Sequence, residues 1–289
     1  MIAYNPKTWF SIIFHSYGRH VMKTLRPALI FMLLYSGAIC FIVVTWLELH
    51  FISTITMHQL LGIVLGLFLV FRTNTAYDRW WEGRRLWGSM VNNTRNIAFK
   101  LNSFLSPDDH EERNWFAQMI PNIPVALKEH LRGPVQTADL DLVDETMYAK
   151  IESAKHVPNR ISAMIYDRVN NLYKLGKITG DQLLLLEREL KEFSEIIGAC
   201  ERIKSTPIPY SYSMYIKKFI FVYLLTLPIG LAKEEEYLTI PIVILITYVL
   251  LGIELIAEEI EDPFGKDSND LPTDELSVKI KENIREILV

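Results

Sequence analysis

Ile63, Leu67 and Phe71 recur at i, i+4 and i+8 inside the apolar run Leu60–Phe71, LLGIVLGLFLVF. On a helix that spacing draws a single stripe. If several copies of the chain surround an axis, the stripe becomes three stacked apolar rings, and a narrow apolar bore holds water poorly and stalls ions. Packing against another helix of the same subunit is the alternative that periodicity leaves open. Gly62 and Gly66 form a small-xxx-small pair on an adjacent face, which lets helix backbones approach closely. Arg72, Asn74, Asp78 and Arg79 follow directly. Ionisable groups beside an apolar segment are costly unless paired or wet. These four therefore either neutralise one another in helix packing, Asp78 against Arg79 or Arg84, or border an aqueous vestibule.

Three other groups have the right atoms for metal binding. Asp108-Asp109-His110-Glu111-Glu112 joins a histidine to acids, but one helical turn rarely completes a tetrahedral set, and a solvated acidic helix start accounts for it. His50 and His58 lie between two apolar runs, placed to share a transition metal across a subunit boundary. Between Glu254 and Asp270 oxygen ligands are dense enough for Ca²⁺, yet Lys266 sits among them and no EF-hand register fits. No Walker A loop, GxGxxG, GxSxG or HExxH occurs, and no nucleophile falls beside a base. No catalytic residue is assigned and no cofactor is required. Two cysteines, Cys40 and Cys200, imply neither a disulfide framework nor a cysteine zinc site.

The elements that must position these residues follow from where the apolar residues are concentrated. The chain has 289 residues, 30 Lys and Arg against 34 Asp and Glu, hence a net charge of −4, with half its residues hydrophobic. That composition excludes a disordered chain and lacks the basic excess of a nucleic-acid binder. Ala28–Leu47 runs twenty residues without a charge, enough to cross a hydrocarbon layer of about 30 Å. The run at 58–71 continues without a break into polar sequence, which reads as one long helix. Phe219–Ala232, carrying Pro228, and Tyr237–Ala257 are joined by Lys233-Glu234-Glu235-Glu236. The expectation is four membrane segments in two hairpins. Lys7, Arg19, Lys23 and Arg26 face no acid in the first 26 residues, and the Leu49–Met57 connection has no Lys or Arg. Positive-inside then puts both termini and the middle of the chain in the cytoplasm.

The expected division is a first hairpin over 1–71 (segments about 28–47 and 58–71), a cytosolic helical domain over 72–216, a second hairpin over 217–257 and an acidic cytosolic tail over 258–289. Within the middle region Ser106-Pro107-Asp108-Asp109 has the form of a helix start, with serine as cap and proline at the first position. Thr179-Gly180-Asp181-Gln182 has capping-box spacing. Leu183, Leu186, Leu190, Phe193, Ile197 and Cys200 then recur as a packing seam. The fold class read from this is all-α.

Four stretches carry a family resemblance. They are Phe71-Arg-Thr-Asn-Thr-Ala-Tyr-Asp-Arg-Trp-Trp-Glu-Gly-Arg-Arg-Leu-Trp87, Pro207-Ile-Pro-Tyr210, Leu227-Pro-Ile-Gly-Leu231, and Glu261-Asp-Pro-Phe-Gly265 with Asn269-Asp270-Leu271-Pro272. In this order, over some two hundred residues, the chain resembles the bestrophin family in its bacterial branch. The resemblance implies a homopentameric channel of the bacterial inner membrane passing small monovalent ions. It implies a hydrophobic neck at Ile63, Leu67 and Phe71 and a cytosolic aperture at Ile178, just before the capping-box helix. The animal members' calcium clasp maps to Asp262, Asp267, Asn269 and Asp270, with Asp262 replacing an Asn and Lys266 standing where an acid belongs. Leu67 replaces an aromatic middle ring, and Glu234, Glu235 and Glu236 crowd the second hairpin tip. Acid near a mouth concentrates cations, so cations are favoured slightly over anions, while Arg72 rings would act oppositely. The rivals are a chloride channel like the animal members and a membrane-anchored interaction protein that does not conduct.

Overall fold

The computed structural model describes residues 16–46, 55–142 and 145–289, and every regular element among them is helical. In chain order these are α1 Ser16–Cys40, continued by a π-helical turn Phe41–Trp46; α2 Ile55–Phe104; α3 His110–Arg132; α4 Glu145–Glu152; α5 Val157–Lys174; α6 Gly180–Ser205; α7 Tyr210–Glu235; α8 Thr239–Glu261; and α9 Thr273–Leu288. The chain forms two compact units, one of residues 1–79, 207–261 and 267–269, the other of 80–206, 262–266 and 270–289. The unit boundaries fall at 79/80 and 206/207. Most of the C-terminal stretch belongs to the second unit, where α9 packs on α3.

Among the described residues three helical stretches, Val21–Thr45, Thr56–Phe104 and Tyr210–Glu261, are long and apolar enough to cross a membrane. The third is a hairpin, which gives four apolar helices. Glu236 breaks it at φ 46°, and Lys217 near the start of α7 pairs with Glu258 near the end of α8 at 2.6 Å, so the two helices run antiparallel. Pro228 does not end α7, which continues through it to Glu235. Met32, Leu65, Leu69, Ile220, Leu224 and Val243 fill the core between α1, α2, α7 and α8. A Cβ on Gly62 would sit 3.0 Å from the Tyr223 hydroxyl, whereas one on Gly66 would meet nothing. Gly62 therefore admits α7 against α2, and Gly66 has no such role within the subunit.

The second unit is built on the later turns of α2. Trp87, Phe116, Phe193 and Phe264 are fully buried there with the aliphatic faces of α3, α5, α6 and α9. The capping box forms as expected: Gln182 N–H donates to Thr179 Oγ1 at 3.2 Å, and Thr179 N–H to Gln182 Oε1 at 2.8 Å. Leu186, Leu190, Phe193, Ile197 and Cys200 are buried along its seam. The start of α3 differs from expectation. The helix begins at His110 with Asp109 at the cap position, because Ser106 and Asp109 close a turn first (Asp109 N–H to Ser106 O, 3.0 Å). The Asp109 carboxylate reaches Lys177 at 2.8 Å and makes no capping bond.

α9 is held to α3 by Arg132. Its Nη2 donates to Asp274 Oδ2 at 2.8 Å and to Thr273 Oγ1 at 3.0 Å, and its Nε to the Phe264 carbonyl at 3.1 Å. Arg132, and then Lys128, hold the Asp274 carboxyl well below the usual carboxylate range. A depressed carboxylate contributes stability that is present above its unfolded value, about 3.9, and is lost as pH falls through the folded one. Thermal melts are therefore expected to show wild type above Asp274→Asn at pH 5, with the gap closing progressively as pH is lowered below about 4. The side chain is 61% exposed, so solvent screening keeps that gap small.

Candidate functional site

The 50-residue α2 is about 75 Å long, and its faces differ in character. At about 100° per residue, Ile63, Leu67 and Phe71 span an arc of about 80°. All three are exposed in the subunit, at 72%, 56% and 54%. Asn74 and Asp78 fall within the same arc and are also exposed. Further along, Arg85, Ser89, Asn92 and Asn96 keep that phase and are exposed in turn. On the opposite face Leu65, Leu69, Arg72 and Ala76 are buried. One side of the helix therefore holds the subunit together, while the other is open among the described residues and passes from an apolar stripe to a mixed face on which Trp81 and Phe99 are exposed beside the polar residues.

The four polar residues after the apolar run do not act together. Arg72 lies about 180° around the helix from Ile63 and is 1% exposed. Its Nη2 donates to Glu261 Oε2 at 2.7 Å, and its Nε lies 3.6 Å from Glu254 Oε1. Arg79 is on that same side and donates from Nε to the Glu261 carbonyl at 3.1 Å. The second Glu261 oxygen accepts from Ile208 N–H at 2.8 Å. Arg72 and Arg79 thus tie α2 to the end of α8, and only Asn74 and Asp78 of the four border the open arc. Glu254 and Glu261, seven residues apart and so on one face of α8, are the partners that reading the sequence did not assign.

Ile178, which the family resemblance makes a cytosolic aperture, packs inward in the subunit. It is 4% exposed and belongs to the core of the second unit, so its side chain is occupied within the subunit rather than standing free as the neck residues do. The position before a helix N-cap is where an apolar residue folds back onto the first turns. The exposed apolar side chain of this turn is Leu175, at 70%, before Gly176 with φ 72°. Ile178→Ala is expected to destabilise the protein by about 2–4 kcal/mol, as for other buried aliphatic truncations. Leu175→Ala is expected to stay within about 0.5 kcal/mol of wild type. Denaturant unfolding of the two variants checks the contrast.

The residues mapped to a calcium clasp are divided between the two units. In the second unit Asp262 Oδ2 pairs with Lys204 Nζ at 2.5 Å, and Asp270 is buried with Oδ2 within 2.7 Å of where a Cβ on Gly265 would stand. In the first, the Asn269 amide donates from Nδ2 to Glu259 Oε2 at 2.7 Å, which turns its nitrogen, not its oxygen, toward the acids; Asp267 lies in the same segment. In the acidic start of α3, Glu112 accepts from Arg168 at 2.6 Å and lies 3.1 Å from Lys177, so its acids serve cations of α5 and the following turn. His58 Nε2 sits 3.1 Å from Thr226 Oγ1. His50 lies outside the described residues.

An all-helical membrane protein with a long helix presenting an apolar-to-polar open face is the class these observations define. The chain matches the family described as bacterial/fungal bestrophin protein over residues 1–286. It is 39% identical over 230 residues to a voltage-dependent anion channel-forming protein of Nostoc sp., covering 78% of this chain and 75% of the relative. A protein of the same description from Ralstonia nicotianae is 30% identical over 285 residues, covering 97% and 92%. A crystal structure of a bacterial bestrophin homologue from Klebsiella pneumoniae aligns with a TM-score of 0.86 at 29% identity, over 92% of this chain and 99% of that one. The chain belongs to the bacterial/fungal bestrophin family.

Proposed function

We propose that five copies of this chain surround a pore lined by the open arc of α2, and that the assembly passes small monovalent ions passively across the bacterial inner membrane. Ile63, Leu67 and Phe71 form its neck, Asn74 and Asp78 its first polar lining, and both termini lie in the cytoplasm. The single observation carrying this reading is that the apolar stripe is unpartnered within the subunit while its helical phase continues into Asn74 and Asp78. Family membership and the channel-forming names of its relatives support it. No enzymatic step is assigned, and no step depends on Ca²⁺.

Cations are the preferred permeant ions in this reading. The neck residues carry no charge, so the sign of the ion is set by what flanks them. Arg72, the cation nearest the neck, is buried and ion-paired, whereas Asp78 is on the arc and Glu234 and Glu236 are exposed at the hairpin tip. Carboxylates in such rings concentrate cations. Arg85 keeps the same phase about 21 Å beyond Phe71, with Asp78 between it and the neck at about half that distance. The relatives' description as anion channel-forming proteins favours the second reading, an anion pore.

Reconstituted Asp78→Asn is expected to shift the reversal potential in a KCl gradient away from the K⁺ potential while leaving the oligomer intact. An unchanged reversal potential removes Asp78 from the permeation path. Light scattering on the detergent-solubilised protein tests the assembly itself, with five times the 33.5 kDa chain mass expected. A monomer favours the membrane-anchored interaction protein instead.

A further inference from the structure

Three side chains that no motif joins meet in the second unit. His130 lies in the last turn of α3, His156 is the N-cap of α5, and Glu201 lies near the end of α6. His130 Nε2 is 2.9 Å and His156 Nε2 2.5 Å from the same oxygen, Glu201 Oε1. The two imidazole centroids are 4.5 Å apart and tilted by 40°. Their ligand atoms all lie within 4.8 Å of one another, the one such group of three among the described residues. None is sealed from solvent: the side chains are 29%, 31% and 32% exposed.

We propose that His130, His156 and Glu201 bind a divalent transition-metal ion of the Zn²⁺ class, clamping α3, α5 and α6 together. Two imidazole nitrogens and one carboxylate oxygen are the ligand types of a zinc site that keeps its fourth position open. With metal–ligand bonds of about 2.0–2.2 Å, a tetrahedral ion needs its ligand atoms about 3.3 Å apart. Glu201 therefore has to withdraw from the rings by on the order of 0.5 Å, and the two imidazole nitrogens, within 4.8 Å of each other, have to settle at the same spacing; all three side chains are partly exposed. A polar-lined cavity of about 330 Å³ borders His130, Gly133, Gln136, Lys155 and Val157. Its size admits a water or small anion to the fourth position.

The proton balance is specific. In the structure His156 Nδ1 accepts the Asn159 backbone N–H at 3.2 Å, so the proton is on Nε2 and is donated to Glu201. Coordination at Nε2 moves that proton to Nδ1, and the cap bond to Asn159 is given up in exchange for a metal–nitrogen bond. His130 likewise presents an unprotonated Nε2 to the ion. A dication takes the place of the two hydrogen bonds now shared by one oxygen, and the free end of α5 becomes part of the clamp.

The test is calorimetric titration of the full-length protein in detergent with Zn²⁺. One ion per chain is expected to bind saturably. Glu201→Gln and His130→Ala should each weaken binding by about tenfold or more, the scale on which lost ligand-shell contacts act. His110→Ala, an exposed histidine elsewhere on α3, should leave it unchanged. Equal affinity in Glu201→Gln and the unaltered protein overturns the proposal, as does no saturable binding below about 100 µM Zn²⁺, a dissociation free energy of only about 5.5 kcal/mol. Should the variants fail to fold, the unaltered protein decides: Zn²⁺ is expected to slow diethyl pyrocarbonate modification of His130 and His156 but not of His110. Unprotected rates at the first two overturn it.

Discussion

Arg72→Ala is expected to lower subunit stability by about 3–5 kcal/mol, more than any other single substitution proposed for this chain. The cost comes from what the substitution leaves behind. Glu254 is 5% exposed and Glu261 is also largely withdrawn from water, and a buried carboxylate whose cation is removed bears its full desolvation penalty. Arg72 also closes the base of the first unit, since Glu261 accepts from it with one oxygen and from Ile208 N–H with the other. A melting temperature lower by about 10 °C is the expected readout. The combined variant Arg72→Met, Glu254→Gln, Glu261→Gln should recover much of the loss, because no charge is then left stranded. If the single and combined variants melt together, the pairing is not what holds α2 to α8.

Replacing Ile63, Leu67 and Phe71 together by Ala is expected to change conduction rather than folding. Each is at least half exposed in the subunit, so little core packing is lost and subunit stability should move by no more than about 0.5 kcal/mol per site. The branched and aromatic ends that narrow the bore are removed, water occupies it more readily, and the barrier to ions falls. A several-fold rise in open probability and a larger unitary conductance are expected in planar bilayers. Wild-type conductance and gating in the triple variant would mean that this face of α2 does not line the pore.

Much of α2 is legible in the amino-acid sequence alone. The 3.6-residue period that groups Ile63, Leu67 and Phe71 holds, and the unbroken pattern through Arg72 is one helix to Phe104. Carrying the same period forward also separates Asn74 and Asp78 from Arg72 and Arg79. Adjacency in the sequence hides that division, because all four share polarity and follow the same apolar run. The partners of Arg72 are out of reach for a different reason: Glu261 is 189 residues away, and no local spacing reports such a contact. The burial of Ile178 does have a local signal, since an apolar residue just before a capping box belongs to the helix's own packing. The start of α3 slips because Ser106 and Asp109 close a turn first, and the Asp109 carboxylate that could cap the helix instead meets Lys177, which lies beyond α5 in the chain. The His130, His156 and Glu201 cluster combines the last turn of one helix, the cap of another and the last turns of a third, and none of the three has a neighbour in sequence to mark it.

The most direct test of a conducting α2 face is the current carried by purified wild-type protein in a planar bilayer under a KCl gradient. Discrete unitary currents reversing near the K⁺ equilibrium potential are predicted, with neutral neck rings admitting ions that Asp78 and the acidic hairpin tip have selected. Reversal near the Cl⁻ potential would contradict the assignment of the permeant ion and leave the pore in place. Silence from both wild type and the neck triple variant, in preparations shown to be pentameric, would contradict the claim that the open face of α2 conducts ions at all.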